Sequence, residues 1–278
     1  MYLKGFGGLA ILMLVMALLL LGAAGTLHYW QAWLFLATYF IVSLALTLYL
    51  VAKDRALLAR RMRGGPFAER EPAQKVIMSF TSLGFIALLI LPGLDHRFGW
   101  SHMPPSAAIA GDILVLLGWL GIFFVFKENS LASATIESTA DQRVISTGPY
   151  AWVRHPMYAA ALVMLLGIPI ALGSWWGVLI MCAILPALIW RLRDEERFLK
   201  SNLPGYVEYQ ANVRYRLLRW SGDFVRLLDY RRATNTSNMP LTISPIWART
   251  AGSCLARASS AEVSCSSASR VRAIRSIG

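Results

Sequence analysis

Residues 154–198 read RHPMYAAALVMLLGIPIALGSWWGVLIMCAILPALIWRLRDEERF, two apolar runs with a polar cluster at either end. The runs, Met157 to Leu172 and Trp175 to Ile189, are separated only by Gly173 and Ser174. Because so short a connection joins two antiparallel helices, the pattern predicts a tight helical hairpin. Each run is shorter than the roughly 20 residues that cross a bilayer, so the hairpin need not reach the far surface.

Four longer apolar runs precede this hairpin, and each can cross the hydrocarbon core as a helix, which takes about 17 to 25 residues. With 56% hydrophobic and only 15% charged residues, the chain departs from the balance of a soluble domain. Lipid permits only helices or closed barrels, and no run alternates as a strand would. The sequence therefore predicts an all-α polytopic transmembrane helix bundle with four spans plus a C-terminal helical hairpin. The predicted spans are Leu9 to Ala24, Trp30 to Ala52, Val76 to Leu94 and Ala107 to Phe126.

Cations predict the orientation of the bundle, because Lys and Arg concentrate in cytoplasmic loops. The loop at 53–75 carries seven of them, whereas the connections at 25–29 and 95–105 together carry only Arg97. We therefore predict an integral protein of the inner or cell membrane, with the N-terminus and both polar clusters in the cytoplasm. The first span also fits a cleaved signal peptide, whose removal would leave the remaining topology unchanged.

The net charge of +12 comes from loops beside the spans and from the C-terminal tail. Attraction to anionic headgroups explains it, so we predict membrane lipid as a partner and no nucleic acid, with the oligomeric state open. No metal site is predicted, since the cysteines lack zinc spacing and only His155 of the four histidines falls on the inner side. Asp112 is the one ionisable residue within a span, which argues against a proton-coupled transporter.

The first polar cluster lies where the hairpin begins. Pro156 is suited to the first turn of a helix and keeps His155 out of the helical region. Arg154, His155 and Tyr158 thus gather at a helix N-terminus, which favours an anionic group such as a carboxylate. Alternatively, Arg154 extends to the headgroups while the aromatic residues nearby form an interfacial belt.

The second cluster contains the carboxylate pair Glu195 and Glu196. Adjacent helical residues point about 100° apart, so only one of the two can aim into a given pocket. A carboxylate there can accept hydrogen bonds from the vicinal hydroxyls of a ribose. The alternative is a wet helix surface on which the acids pair with neighbouring arginines, contributing under about 1 kcal/mol per pair.

Order and spacing link these clusters to a known family. RHPMY at 154–158, the apolar hairpin, EERFL at 195–199 and LPGYVEY at 203–209 follow one another. The series strongly resembles the isoprenylcysteine carboxyl methyltransferase family of integral membrane enzymes, over about a third of the chain, 126–220.

This resemblance implies that S-adenosylmethionine binds at the cytosolic surface and that its methyl group passes to a lipophilic acceptor, a small molecule or lipid-linked. It implies a cofactor-binding catalytic region at 127–220. Hydropathy and charge predict N-terminal transmembrane helices with a basic cytosolic loop at 1–126, and the low apolar content at 221–278 predicts a disordered basic tail. Asn129 is a weaker candidate, for which a role as a helix C-terminal cap is the preferred explanation. The implied site residues are Arg154 and His155 as catalytic, Tyr150, His155, Tyr158, Glu195 and Glu196 as cofactor-binding, and Tyr206, Tyr209 and Arg214 as substrate or lid residues.

A carboxylate acceptor of the isoprenylcysteine type would need no base, whereas an amine or thiol would need His155 or a glutamate to remove a proton. One alternative function is an NADPH-dependent membrane sterol-type reductase, in which Arg191, Arg193 and Arg214 would contact the extra phosphate. Another is a non-catalytic membrane protein or transporter.

Overall fold

The computed structural model describes residues 2–62, 72–131 and 144–217, and every regular element in these ranges is helical. The predicted all-α bundle is confirmed. The predicted tail, 221–278, lies outside the described residues, as do 63–71 and 132–143. In chain order the elements are α1 (Tyr2–Ala24), α2 (Trp30–Lys53), α3 (Arg55–Arg61), α4 (Pro72–Phe98), α5 (Pro105–Glu128), a 3-10 turn (Gly148–Ala151), α6 (Pro156–Ala171), α7 (Trp175–Asn202) and α8 (Tyr206–Asn212).

Five of the described helices, α1, α2, α4, α5 and α7, are long and apolar enough to cross a membrane, and α6 is a shorter apolar helix. The protein is therefore an integral membrane protein. The structure has five helices long enough to span a membrane where the sequence predicts four, because α7 is longer than its apolar run. Instead of ending near Ile189, α7 runs for 28 residues through the polar cluster to Asn202. The reason is that Arg, Glu, Lys and Leu are good helix formers, so the helix continues after its hydropathy falls.

The α6–α7 hairpin forms as predicted, with Gly173 at φ 69°, a left-handed backbone that favours glycine. Helix α6 packs closely on α5 because glycines lie between them. A Cβ at Gly118 would lie 2.6 Å from Met164 Cβ, and one at Gly167 would lie 2.7 Å from the Gly111 carbonyl oxygen. Small residues of this kind let membrane helices approach along their backbones.

A short helix, α3, begins directly after α2 in the basic loop. Asp54 caps it by accepting a hydrogen bond from the Leu57 backbone N–H at 2.9 Å. Leu57 and Leu58 are buried in one cluster with Leu50 of α2, Val125 of α5 and Ala160 of α6. A short helix is therefore present, and its leucines face the protein core.

We call the end of the bundle at the α6–α7 turn the turn end. Asp95 is buried there, with only 2% of its surface exposed. Its carboxylate accepts a hydrogen bond from the Ser101 N–H at 2.7 Å and others from the Ser101 and Ser174 hydroxyls. The Ser174 hydroxyl in turn caps α7 by accepting from the Gly177 N–H at 3.0 Å. These contacts join α4 to the hairpin.

Candidate functional site

At the opposite end, which we call the motif end, α6 begins at Pro156 with His155 as its N-cap residue, outside helical geometry (φ −123°, ψ 65°). The backbone there pairs with the segment 213–217, which we call the strap. The Arg154 N–H donates to the Tyr215 carbonyl at 2.8 Å, and the His155 N–H donates to the Arg216 carbonyl at 2.9 Å. Both N–H groups are therefore hydrogen-bonded to the strap, so only the side chains of Arg154 and His155 remain to contact a ligand here.

Glu196 lies at the centre of this end and is 3% exposed. Its Oε1 lies 3.1 Å from Arg154 Nε and 3.3 Å from His155 Nε2, and its Oε2 accepts a hydrogen bond from Arg216 Nε at 2.8 Å. A buried carboxylate needs such partners to offset the loss of water. Glu196 therefore holds the RHPMY segment and the strap together.

The Glu195 side chain points in a different direction from that of Glu196, because adjacent residues of a helix are rotated by about 100° about its axis. It is half-buried, and its Oε2 accepts a hydrogen bond from the Tyr158 hydroxyl at 2.6 Å. Of the two adjacent acids, Glu195 faces a large cavity and Glu196 lies behind the cavity wall.

The cavity has a volume of about 940 Å³ and extends from charged residues at the motif end to apolar side chains between the helices. Most of the predicted site residues meet in its wall. Glu196 supports that wall from behind, and Arg214 is exposed on the strap. The predicted residues that line the cavity are Tyr150, Arg154, His155, Tyr158, Glu195, Tyr206 and Tyr209.

Helix α8 covers this end of the cavity. The Tyr209 hydroxyl donates to the Tyr150 carbonyl at 2.7 Å, and the Tyr150 hydroxyl accepts from Asn129 Nδ2 at 2.9 Å. Asn129 also follows α5 directly, and its Oδ1 accepts from the Leu131 N–H at 2.9 Å. Asn129 is therefore the C-cap residue of α5, and its side chain also contacts Tyr150 in the cavity wall.

One buried polar atom of α8, the Tyr206 hydroxyl, has no hydrogen-bond partner among the described residues. Burial is the main cause that raises the pKa of Tyr206, and the negative charge of Glu196 adds to it. The phenol therefore keeps its proton at neutral pH and remains a hydrogen-bond donor.

Sequence reasoning missed three arginines. Arg216 was passed over in favour of Arg214, because nothing in the run Arg214-Tyr215-Arg216 distinguishes the two cations. Arg60 and Arg61 of α3 also line the cavity. Arg60 Nη1 donates to the Ser130 carbonyl at 2.7 Å, and the Arg61 guanidinium lies 5.1 Å from the centre of the Phe126 ring.

The cations suggested for an NADPH phosphate do not gather at one place. Arg191 lines the cavity and donates to Gln74 Oε1 at 2.8 Å. Arg193 and Arg214 are exposed and lie outside the cavity wall. The geometry therefore gives the reductase alternative no support.

Comparison with known proteins agrees with the motif order. Residues 106–204 match the phospholipid methyltransferase family, which confirms the resemblance to isoprenylcysteine carboxyl methyltransferase-like membrane enzymes. The chain is also 30% identical over 118 residues to the cobalt-zinc-cadmium resistance protein CzcN of Cupriavidus metallidurans. That alignment covers 40% of this chain and 51% of CzcN, so the chain spans about half the length of this curated relative.

Proposed function

We propose that the protein is a membrane-embedded methyltransferase that moves a methyl group from S-adenosylmethionine to a lipophilic acceptor at the cytoplasmic face of the cell membrane. The observation that carries this proposal is the shared cavity, in whose wall the predicted residues meet. Five of them belong to the segment that matches a methyltransferase family: Tyr150, Arg154, His155, Tyr158 and Glu195.

The wall at the motif end fits an adenosyl amino acid. Glu195 offers a carboxylate to the vicinal ribose hydroxyls, and Tyr158 holds that carboxylate in place. Arg154 also lines the cavity and offers a guanidinium to a carboxylate. When bound, the donor supplies a sulfonium methyl group, which forms a bond to the acceptor atom as its bond to sulfur breaks and S-adenosylhomocysteine leaves.

The chain's own contribution is to position the reactants and exclude water. Helix α8 closes the cavity through the Tyr209 to Tyr150 hydrogen bond, and the strap fixes the start of α6. Alignment of two reactants can lower a barrier by about 7 to 11 kcal/mol in the best cases, so no strong acid or base is required.

A carboxylate acceptor fits the charges of the cavity best. Four arginines line it, and Glu195 is the one carboxylate among its described lining residues. The two groups that could remove a proton from an amine acceptor are already engaged: His155 Nε2 faces Glu196 at 3.3 Å, and Glu195 accepts a hydrogen bond from the Tyr158 hydroxyl. An anionic acceptor is attracted to this wall and reacts without a base. The lining arginines are Arg60, Arg61, Arg154 and Arg191.

Titration of the detergent-solubilised protein tests the proposal. S-adenosylhomocysteine should bind, and NADPH should not. The change Glu195→Gln should weaken S-adenosylhomocysteine binding by about 10- to 100-fold, the effect of losing charged hydrogen bonds worth about 1.5 to 3 kcal/mol. Glu208→Gln, at an exposed position on α8, is the matched control and should change nothing.

Binding of NADPH without S-adenosylhomocysteine would overturn the proposal. Equal S-adenosylhomocysteine affinity in wild-type protein and Glu195→Gln would refute only the role of Glu195 in binding the ribose. Transfer of a labelled methyl group to an extractable lipid, dependent on Arg154, would establish the reaction itself.

A further inference from the structure

The cavity runs from the motif end toward the middle of the bundle and stops there. Nearer the turn end, the helices pack into a hydrophobic core that includes Phe35 of α2, Leu88 of α4 and Ile168 of α6, each 0% exposed. None of these three side chains lines the cavity. The cavity therefore ends where this core begins.

Three side chains form a floor at this boundary: Tyr39 of α2, Trp119 of α5 and Met164 of α6. Tyr39 belongs to the buried core, and Trp119 and Met164 pack against it. The Tyr39 ring meets the Trp119 ring edge-on, with 5.3 Å between the ring centres. Trp119 and Met164 are half-buried and line the cavity, so a ligand in it can contact them.

The opposite level of the cavity is charged. The Arg61 guanidinium lies 5.1 Å from the centre of the Phe126 ring, and its Nη1 lies 3.6 Å from the Met157 sulfur. Met157 directly follows Pro156, so this cation lies beside the start of α6, where Arg154 also lines the cavity. An acceptor carboxylate is attracted to these cations, which leaves its apolar chain to extend toward the floor.

Two helices give similar depths for the floor. On α6, Met164 follows Pro156 by eight residues, and on α5 Trp119 precedes Phe126 by seven. At 1.5 Å per helical residue, these separations are about 12 and 10 Å. A fully extended chain advances about 3.5 Å per three bonds, so about nine or ten bonds span this depth. A straight chain much longer than that meets the floor.

We propose that the Tyr39–Trp119 pair and Met164 limit the apolar chain of the methyl acceptor to about ten bonds beyond its carboxylate. This inference rests on the proposed function and names the class of acceptor, a medium-chain carboxylic acid. The volume of about 940 Å³ is near the upper limit of the roughly 300 to 1,000 Å³ found for small-molecule sites, so the donor and such a chain can bind together.

Binding of straight-chain acids to the full chain in detergent tests this limit. Affinities for decanoic and tetradecanoic acid are expressed as mole fractions in the micelle, where both chains are already out of water, and S-adenosylhomocysteine is titrated beside them. The four further bonds of tetradecanoic acid add about 5 Å, for which there is no room above the floor. Tetradecanoic acid should therefore bind about tenfold more weakly, the equivalent of about 1.4 kcal/mol.

Variants of the floor should remove this difference. Trp119→Ala opens the floor, so the two acids should bind to that variant with equal affinity. Met164→Ala removes less of it and should reduce the difference to about threefold. Leu120→Ala is the matched control, because this neighbouring side chain of α5 is 49% exposed, and the tenfold difference should survive. S-adenosylhomocysteine affinity should equal that of wild type in all three variants, which checks that they fold.

Equal affinity for the two acids, or binding of neither, in wild-type protein that binds S-adenosylhomocysteine would overturn this inference and leave the proposed function intact. An unchanged tenfold difference in both Trp119→Ala and Met164→Ala would overturn it as well. A preference for decanoic acid that depends on Trp119, without S-adenosylhomocysteine binding, would refute the methyltransferase and retain the chain pocket.

Discussion

The two ends of the helix bundle use a buried carboxylate for different purposes. At the turn end, Asp95 is 2% exposed and accepts hydrogen bonds from a backbone N–H and two serine hydroxyls, all neutral donors. At the motif end, Glu196 is 3% exposed and faces two arginines and a histidine beside the 940 Å³ cavity. At the turn end the neutral donors join helices, whereas at the motif end the charged cluster also holds the cavity-lining side chains Arg154 and His155 in position.

Removal of the carboxylate at the motif end should have the largest effect. Glu196→Ala leaves Arg154, His155 and Arg216 without their common partner, which we expect to lower the free energy of unfolding by about 3 to 5 kcal/mol. Thermal unfolding in detergent measures this, with the exposed Glu208→Ala as control. S-adenosylhomocysteine binding should fall too, and an unchanged melting temperature would contradict the role assigned to Glu196.

The matching change at the turn end should affect stability alone. Asp95→Ala removes the acceptor of three hydrogen bonds, and we expect a loss of about 2 to 3 kcal/mol. S-adenosylhomocysteine affinity of the protein that remains folded should equal that of wild type. If the affinity falls as far as it does in Glu196→Ala, the two ends do not act independently.

The strap offers a matched pair of cations. Arg216→Ala removes the hydrogen bond to Glu196, and because this side chain is 37% exposed we expect only about 1 to 2 kcal/mol of destabilisation. Arg214→Ala, at the exposed position two residues earlier, should change stability by less than about 0.5 kcal/mol. Similar melting temperatures for the two variants would show that the strap is held by its backbone alone.

A single neutral hydrogen bond at the motif end should matter least. Tyr209→Phe leaves the Tyr150 carbonyl without the donor that lies 2.7 Å away, which should cost about 0.5 to 1.5 kcal/mol. Proteolysis of folded protein at the α8 segment should become faster, and bound S-adenosylhomocysteine should slow it again. Equal cleavage rates in wild type and variant would show that this hydrogen bond does not close the cavity.

Much of the fold could be predicted because hydropathy and helix breakers are local. The apolar runs place α2, α5 and α6 within about three residues of their observed limits, and Gly173-Ser174 places the hairpin turn. The end of α7 was missed because backbone hydrogen bonding continues past the apolar residues. In the site, Tyr150, Arg154, His155 and Tyr158 share one cavity wall because neighbours at a helix start stay together, whereas Glu195, Tyr206 and Tyr209 were predicted through the family resemblance.

Contacts between residues far apart in the sequence could not be predicted from hydropathy or motif spacing. Glu195 and Glu196 differ only in the rotation of α7 about its axis, and that rotation depends on which neighbours pack against it. Arg216 meets a carboxylate 20 residues earlier, and Ser174 meets Asp95 across 79 residues. Composition and spacing alone thus established a helical membrane protein with a polar motif at one end, because those properties belong to short segments. The packing of the helices settled which acid faces the cavity and which cation pairs with the acid behind it, because both depend on contacts between residues far apart in the sequence.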